Sequence, residues 1–223
     1  MRARRRTKNK AKTAILEYPN KVLVDTSTYE TNHRPQFKSQ LQSLIQKSTQ
    51  AYSKLYVEIG MGDGEFTNEL ARRNPDALCI GVELKEERIL NAVSETKKDN
   101  LENTLFLRIS AAHLDEVLLE QQIDTIFMNF PDPWPKKKHV KHRMTTPKFL
   151  SIYSKLLTQD GHFVFKTDNQ IMYEYTLEML HESDLTVLST ETDLAHDENN
   201  IMTRFESRYR TQEKNIHKII AKK

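Results

Sequence analysis

The sequence predicts an α/β domain with a doubly wound, mostly parallel sheet and helices on both faces. Three observations carry this. Short apolar runs alternate with helix-compatible stretches through five successive units, the pattern of strands joined by crossover helices. Three of the chain's five glycines, Gly60, Gly62 and Gly64, crowd the end of the first of these runs. Acidic side chains, Glu58 and Glu83, stand at the ends of the first two runs, where open α/β sheets bind their ligands.

Taken in order, a helix is expected from Gln36 to Gln46, after Pro35. Leu55, Tyr56, Val57 and Ile59 make a buried strand, and Glu65 to Arg73 follows as a helix. Ala77 to Val82 reads as the second strand and Lys85 to Lys98 as its helix. Thr104 to Ile109 is the third strand, ending at Ser110-Ala111-Ala112, and His113 to Gln121 is helix-compatible. Ile123 to Phe130 supplies the fourth strand and Thr146 to Leu157 a helix. Asp160-Gly161 signals a turn into a strand over His162 to Lys166, and Ile171 to His181 is helical by its apolar spacing.

At 223 residues, with 37% hydrophobic and 29% charged side chains, the chain suits one large soluble domain. No apolar run approaches membrane-span length. A single cysteine, Cys79, lies inside the second predicted strand, which excludes an intrachain disulfide and fits a reducing, cytoplasmic setting. The histidines are not spaced as metal ligands, so no metal is expected. Net charge is only +3, but the positive charge is clustered. Residues 1–35 are expected to form a partly flexible basic arm, with Arg2, Arg4, Arg5, Arg6, Lys8, Lys10 and Lys12 at its start, and residues 36–223 the α/β domain. The arm has no apolar segment of a secretory signal; it suits a nucleic-acid backbone or a solvated tail.

The glycine spacing bears on the cofactor. A dinucleotide fingerprint needs its third small residue at position 65, where this chain has Glu65. The run is Glu58-Ile59-Gly60-Met61-Gly62-Asp63-Gly64, with the acid ahead of the glycines. Glycines at alternate positions admit positive φ and close approach of a ligand to the backbone. Glu83, at the tip of the second strand, suits the two hydroxyls of an adenosine ribose. Together these features favour S-adenosylmethionine over a nicotinamide cofactor; the competing reading is a structural turn with a solvated glutamate.

The fourth strand runs into Asn129-Phe130-Pro131-Asp132-Pro133-Trp134-Pro135, then Lys136, Lys137, Lys138, His139, Val140, Lys141, His142 and Arg143. Alternate prolines stiffen the loop and end the strand. A carboxylate beside the only tryptophan, followed by a block of cations, suits a nucleobase attached to phosphates. The alternative is a rigid surface turn with a solvated charge run.

These motifs, with Lys166-Thr167-Asp168-Asn169 and Thr203-Arg204-Phe205-Glu206, resemble the bacterial tRNA (guanine-N7-)-methyltransferase family from about Glu58 to Glu206. The resemblance implies a Rossmann-like class I methyltransferase fold. It implies S-adenosylmethionine-dependent methylation of guanine N7 in tRNA, at the variable-loop guanine, by a cytoplasmic monomer or homodimer. Glu58, Gly60, Gly62, Gly64, Glu83, Ser110 and Asp132 would bind the cofactor, and Asp132 would also be the catalytic residue. Lys136, Asp168, Thr203, Arg204, Phe205 and Glu206 would bind substrate, and Lys138, His139, Val140, Lys141, His142 and Arg143 would contact RNA. Ser110 departs from the family's usual Asp or Asn, which leaves the adenine contact to the backbone of Ala111 and Ala112. Two other readings remain: a methyltransferase acting on an amino group, and an RNA-binding protein on an inactive methyltransferase fold.

Overall fold

The structure, a computed structural model, describes residues 21–24, 34–48, 51–194 and 199–223. The basic run from Arg2 to Lys12 lies outside the described residues. The chain divides into two compact units, Met1–Leu118 and Leu119–Lys223.

The first unit holds β1 (Val22–Val24), α1 (Arg34–Ser48), β2 (Lys54–Ile59), α2 (Glu65–Arg73), β3 (Ala77–Val82), α3 (Glu86–Lys98), β4 (Thr104–Arg108) and α4 (Leu114–Val117). Its strands lie in the order β1-β4-β3-β2, all parallel. Every residue of β3 and β4 is buried, as expected of interior strands covered on both faces. Cys79 sits within β3, its thiol pushed up to about 12 by burial first and then by the charges of Glu58 and Asp76. Two findings differ from the sequence reading. Val22–Val24, inside the expected arm, pairs with β4 as a strand. The helix expected over His113 to Gln121 is instead a 3₁₀ turn, Ala111–His113, and the single helical turn α4. Leu118 is already extended and Gln121 has φ 53°, so helical geometry is lost well before the expected end.

The second unit holds β5 (Ile123–Asn129), a 3₁₀ segment (Lys137–His142), α5 (Pro147–Leu156), β6 (Leu157–Thr167), α6 (Gln170–His181), β7 (Thr186–Glu191), α7 (Arg204–Thr211) and β8 (His217–Lys222). Its strand order is β5-β6-β8-β7: β5 and β6 are parallel, and β8 runs antiparallel to both β6 and β7. The turn expected at Asp160-Gly161 is no boundary. β6 runs through it, and the extra residues are absorbed in a register shift, Ile123 facing Leu157 and Thr125 facing His162. A Cβ on Gly161 would crowd Leu157, so the glycine serves packing here. β7, α7 and β8 were not expected. β7 is mostly exposed and short, and in β8 the apolar run is only Ile219-Ile220-Ala221 between Lys218 and Lys222, so neither offers a strong apolar run.

Candidate active site

In the first unit the parallel register brings the expected cofactor residues to one edge. Ile59 faces Val82 and Val82 faces Leu107, so β2, β3 and β4 end side by side. Gly60 N–H and Met61 N–H both donate to the Val82 carbonyl, at 2.9 and 3.1 Å, which bends the chain off β2. Gly60, Gly62 and Gly64 all have positive φ (74°, 58° and 78°), a region where L-residues with a side chain are strained. Gly64 is the N-cap of α2, and a Cβ there would collide with Ala92 of α3. Its absence therefore serves helix packing, whereas Gly62 has only the Arg88 guanidinium close by, at 2.9 Å from an added Cβ. Glu58 is buried and accepts a 2.5 Å hydrogen bond from the Thr67 hydroxyl of α2, which orients its carboxylate. Glu83 lies just past β3. Its Oε1 accepts the N–H groups of Leu84 and Lys85, at 2.7 and 3.0 Å. Ser110, just past β4, accepts from Ala112 N–H at 3.3 Å and caps the 3₁₀ turn. A backbone bend built of left-handed glycines, with an oriented carboxylate one strand over, fits an adenosine-bearing cofactor such as S-adenosylmethionine.

In the second unit β5 ends where Phe130 turns to φ 50°, and Trp134 repeats the left-handed geometry at φ 43°. Both precede proline, and both are non-glycine residues in a sparsely populated region, a form of strain that concentrates at functional sites. Asp132 between them is exposed, and its carboxylate has no hydrogen bond or ion pair among the described residues. Trp134 is 36% exposed and contacts the rings of His139 (5.7 Å, edge-on) and His142 (5.2 Å). Lys136 is exposed just before the 3₁₀ segment and Lys137, Lys138 and Lys141 are exposed along it, with Val140 half-buried. Arg143 is not: at 4% exposure its Nε donates to the Pro133 carbonyl (2.9 Å), a terminal nitrogen reaches the Trp134 carbonyl (3.4 Å), and the guanidinium lies over the Tyr175 ring at 4.5 Å.

At the end of β6, Lys166 is buried. Its Nζ donates to Glu206 (2.9 Å), Asn200 Oδ1 (3.1 Å) and the Ile201 carbonyl (3.0 Å). Glu206 is fully buried and also accepts from Asn200 and Arg210. Burial by itself would raise its pKa; the Lys166 charge and the hydrogen bonds from Lys166, Arg210 and Asn200 outweigh that and hold it below the usual carboxylate range. Thr203 caps α7, its hydroxyl accepting from Glu206 N–H at 3.1 Å. Asp168 pairs with Lys214 at 2.6 Å, and Lys214 also lies 4.4 Å over the Tyr209 ring, which in turn contacts Phe130 and Phe205. Arg204 and Phe205 point outward, Phe205 at 44% exposure. Among the described residues no cluster of histidine, cysteine or carboxylate side chains could hold a metal ion, and no helix is long and apolar enough to cross a membrane.

A family model described as "Putative methyltransferase" matches residues 52–219. The chain is 35% identical over 217 residues to the tRNA (guanine-N(7)-)-methyltransferase of Brevibacillus brevis, covering 95% of this chain and 94% of that protein. It is 33% identical to the protein so described from Geobacillus kaustophilus, covering 96% of this chain and 94% of that one. The chain belongs to the tRNA (guanine-N(7)-)-methyltransferase family. Among solved structures it is similar to a 30S ribosomal A1408 methyltransferase from an uncultured bacterium, with TM-score 0.64, 18% identity and coverage of 83% of this chain and 93% of that one. It is also similar to a SAM dependent methyltransferase from Aquifex aeolicus, with TM-score 0.55, 12% identity and 96% of each chain. At such identities the likeness speaks for the fold, which is the Rossmann-like class I methyltransferase fold.

Two of the expected site residues have partners within their own unit. Arg143, expected among the RNA contacts, is turned to the carbonyls of its own loop. Glu206, expected at the substrate, has its carboxylate enclosed by Lys166, Asn200 and Arg210. The sequence reasoning missed Asn200, Arg210 and Lys214, and placed Lys166 only within the Lys166-Thr167-Asp168-Asn169 motif without a partner. One signal was present: Thr203-Arg204-Phe205-Glu206 is Thr-x-x-Glu, the spacing of a helix N-terminal capping box. Nothing local marks the pairing of Lys166 with Glu206 or of Lys214 with Asp168, partners 40 and 46 residues away.

Proposed function

We propose that this enzyme methylates N7 of a guanine in tRNA, the variable-loop guanine, with S-adenosylmethionine as donor. The observation that carries this reading is the exposed Asp132 carboxylate, unpaired among the described residues, in a left-handed, proline-stiffened loop beside Trp134 and the exposed lysines. In this reading the first unit binds the donor through Glu58, Gly60, Gly62, Gly64, Glu83 and Ser110. The second unit binds the base and the RNA. S-adenosylmethionine supplies a methyl group already activated on a sulfonium. Guanine N7 is a major-groove acceptor with a free lone pair, so no residue needs to remove a proton from it first. The protein's work is alignment and electrostatics, and alignment can be worth about 7–11 kcal/mol of barrier.

The guanine gains positive charge on methylation, and a nearby carboxylate stabilises it. Asp132 suits this better than Asp168, whose charge is already balanced by Lys214. Asp132 can also accept from the N–H donors on the Watson–Crick edge of guanine, which adenine does not present in the same pattern. Trp134 and Phe205 offer aromatic faces to a base drawn out of its stack, and Lys136, Lys137, Lys138, Lys141 and Arg204 offer cations to the phosphates.

The test is to incubate the protein with labelled S-adenosylmethionine and unmodified tRNA, then digest to nucleosides. Label in 7-methylguanosine, with strand cleavage by borohydride and aniline, is the expected result. Label in an exocyclic amine would make it an amino-group methyltransferase, and binding without transfer would make it an RNA-binding protein. Asp132→Asn should slow single turnover by about 10²-fold and weaken discrimination against adenine. Full rate with full selectivity would remove Asp132 from this role.

A further inference from the structure

We infer that Arg143 is a positioning residue: it holds the backbone of the Pro131–Pro135 loop so that Asp132 is presented in one orientation, and it does not bind RNA. The inference rests on the reading of Asp132 given above. Three of the five loop residues are prolines and have no N–H, so only Asp132 and Trp134 retain backbone donors with which the loop could brace itself. Phe130 and Trp134, one on each side of Asp132, are held in left-handed geometry. Such conformations persist only where the surroundings over-determine them. One end of the loop is pinned by Phe130 N–H donating to the Lys166 carbonyl at 2.8 Å and by the Phe130 ring against Tyr209 at 5.6 Å. The middle is held from Arg143. Among the described residues, no other side chain hydrogen-bonds to residues 131–135.

The chemistry of the side chain suits this task. A guanidinium is a planar fork of five donors in fixed geometry, so it serves the Pro133 and Trp134 carbonyls while its face lies on the Tyr175 ring, a combination that an ammonium on a flexible stem does not reproduce. Tyr175 lies under its face at 4.5 Å, and the Arg143 N–H closes the 3₁₀ segment by donating to Val140 at 3.0 Å. Backbone and side chain of one residue thus tie the lysine-bearing segment to the loop that carries Asp132. A residue buried in this way offers little to a phosphate.

Arg143→Lys keeps the charge and loses the fork; Arg143→Gln loses both. A positioning role predicts that Arg143→Lys lowers kcat for tRNA methylation on the order of 10²-fold, the cost of a small misplacement of a reacting group. The salt dependence of KM for tRNA should stay that of the wild type in both variants. Trp134 is the only tryptophan, so its fluorescence in the full chain without substrate reports the loop directly. Both variants should show easier acrylamide quenching, measured below their thermal transitions. Arg143→Lys with wild-type kcat, together with a salt slope in Arg143→Gln shallower by about 1, the signature of one phosphate no longer bound, would overturn the inference. Unchanged Trp134 quenching in both variants would also overturn it. If the wild-type protein made no 7-methylguanosine, the functional reading would fall, while the fluorescence would still decide whether Arg143 holds the loop.

Discussion

Single residues divide into those that shape the backbone and those left free to act. Gly64 belongs to the first group. Its φ of 78° and the collision of an added Cβ with Ala92 act together. Gly64→Ala should destabilise the fold by about 2–4 kcal/mol, combining left-handed strain with overpacking, measured by urea unfolding. Gly62→Ala should cost less, because the Arg88 guanidinium that it would meet can swing aside. Asp132 belongs to the second group. It is exposed beside a stiffened backbone, so its substitution should alter the reaction and leave unfolding nearly unchanged. The glycine run and Asp132 were both plain in the sequence, because a loop's composition states its own backbone limits. Arg143 was not, since nothing in a run of cations shows which one turns inward.

Among elements, the tie between the end of β6 and the start of α7 is the most consequential. Lys166 and Glu206 form an ion pair with side chains 4% and 0% exposed. Removing one partner of such a pair leaves a buried charge uncompensated. Glu206→Gln should therefore destabilise by about 3–5 kcal/mol and loosen the segment that carries Arg204 and Phe205. The pH dependence follows from the depressed pKa of Glu206. Its stabilising contribution is fully present above the ordinary carboxylate value of about 4.3 and is lost as pH falls through the lower folded value. The stability gap between wild type and Glu206→Gln should be constant above that point and narrow in more acid solution, as read from urea midpoints against pH. A gap that instead narrowed toward neutral pH would contradict the ion pair as its source.

For the whole molecule, the relevant property is where the charge sits. A net charge of +3 is small, yet Lys137, Lys138 and Lys141 are exposed on one short 3₁₀ segment. Neutralising all three should raise KM for tRNA and reduce the slope of log KM against log salt by about 3, one for each phosphate that the segment no longer neutralises. Affinity for S-adenosylmethionine, measured by calorimetry, should hardly change. An equal drop in cofactor affinity would show that the segment supports the fold.

The sequence by itself determined the α/β class, the glycine bend, the acids at the strand ends and the loop that presents Asp132. These are local matters: side-chain periodicity, glycine and proline limits on φ, and residues adjacent in the chain. Only the tertiary structure decided that β8 enters antiparallel between β6 and β7 and that Asp160-Gly161 passes within a strand. It also decided that Glu206 faces Lys166 and that Arg143 faces carbonyls. The physical reason is that burial and pairing depend on partners far away along the chain. A charged side chain reads the same in sequence whether its counter-charge is water, a phosphate or a residue brought beside it by the fold.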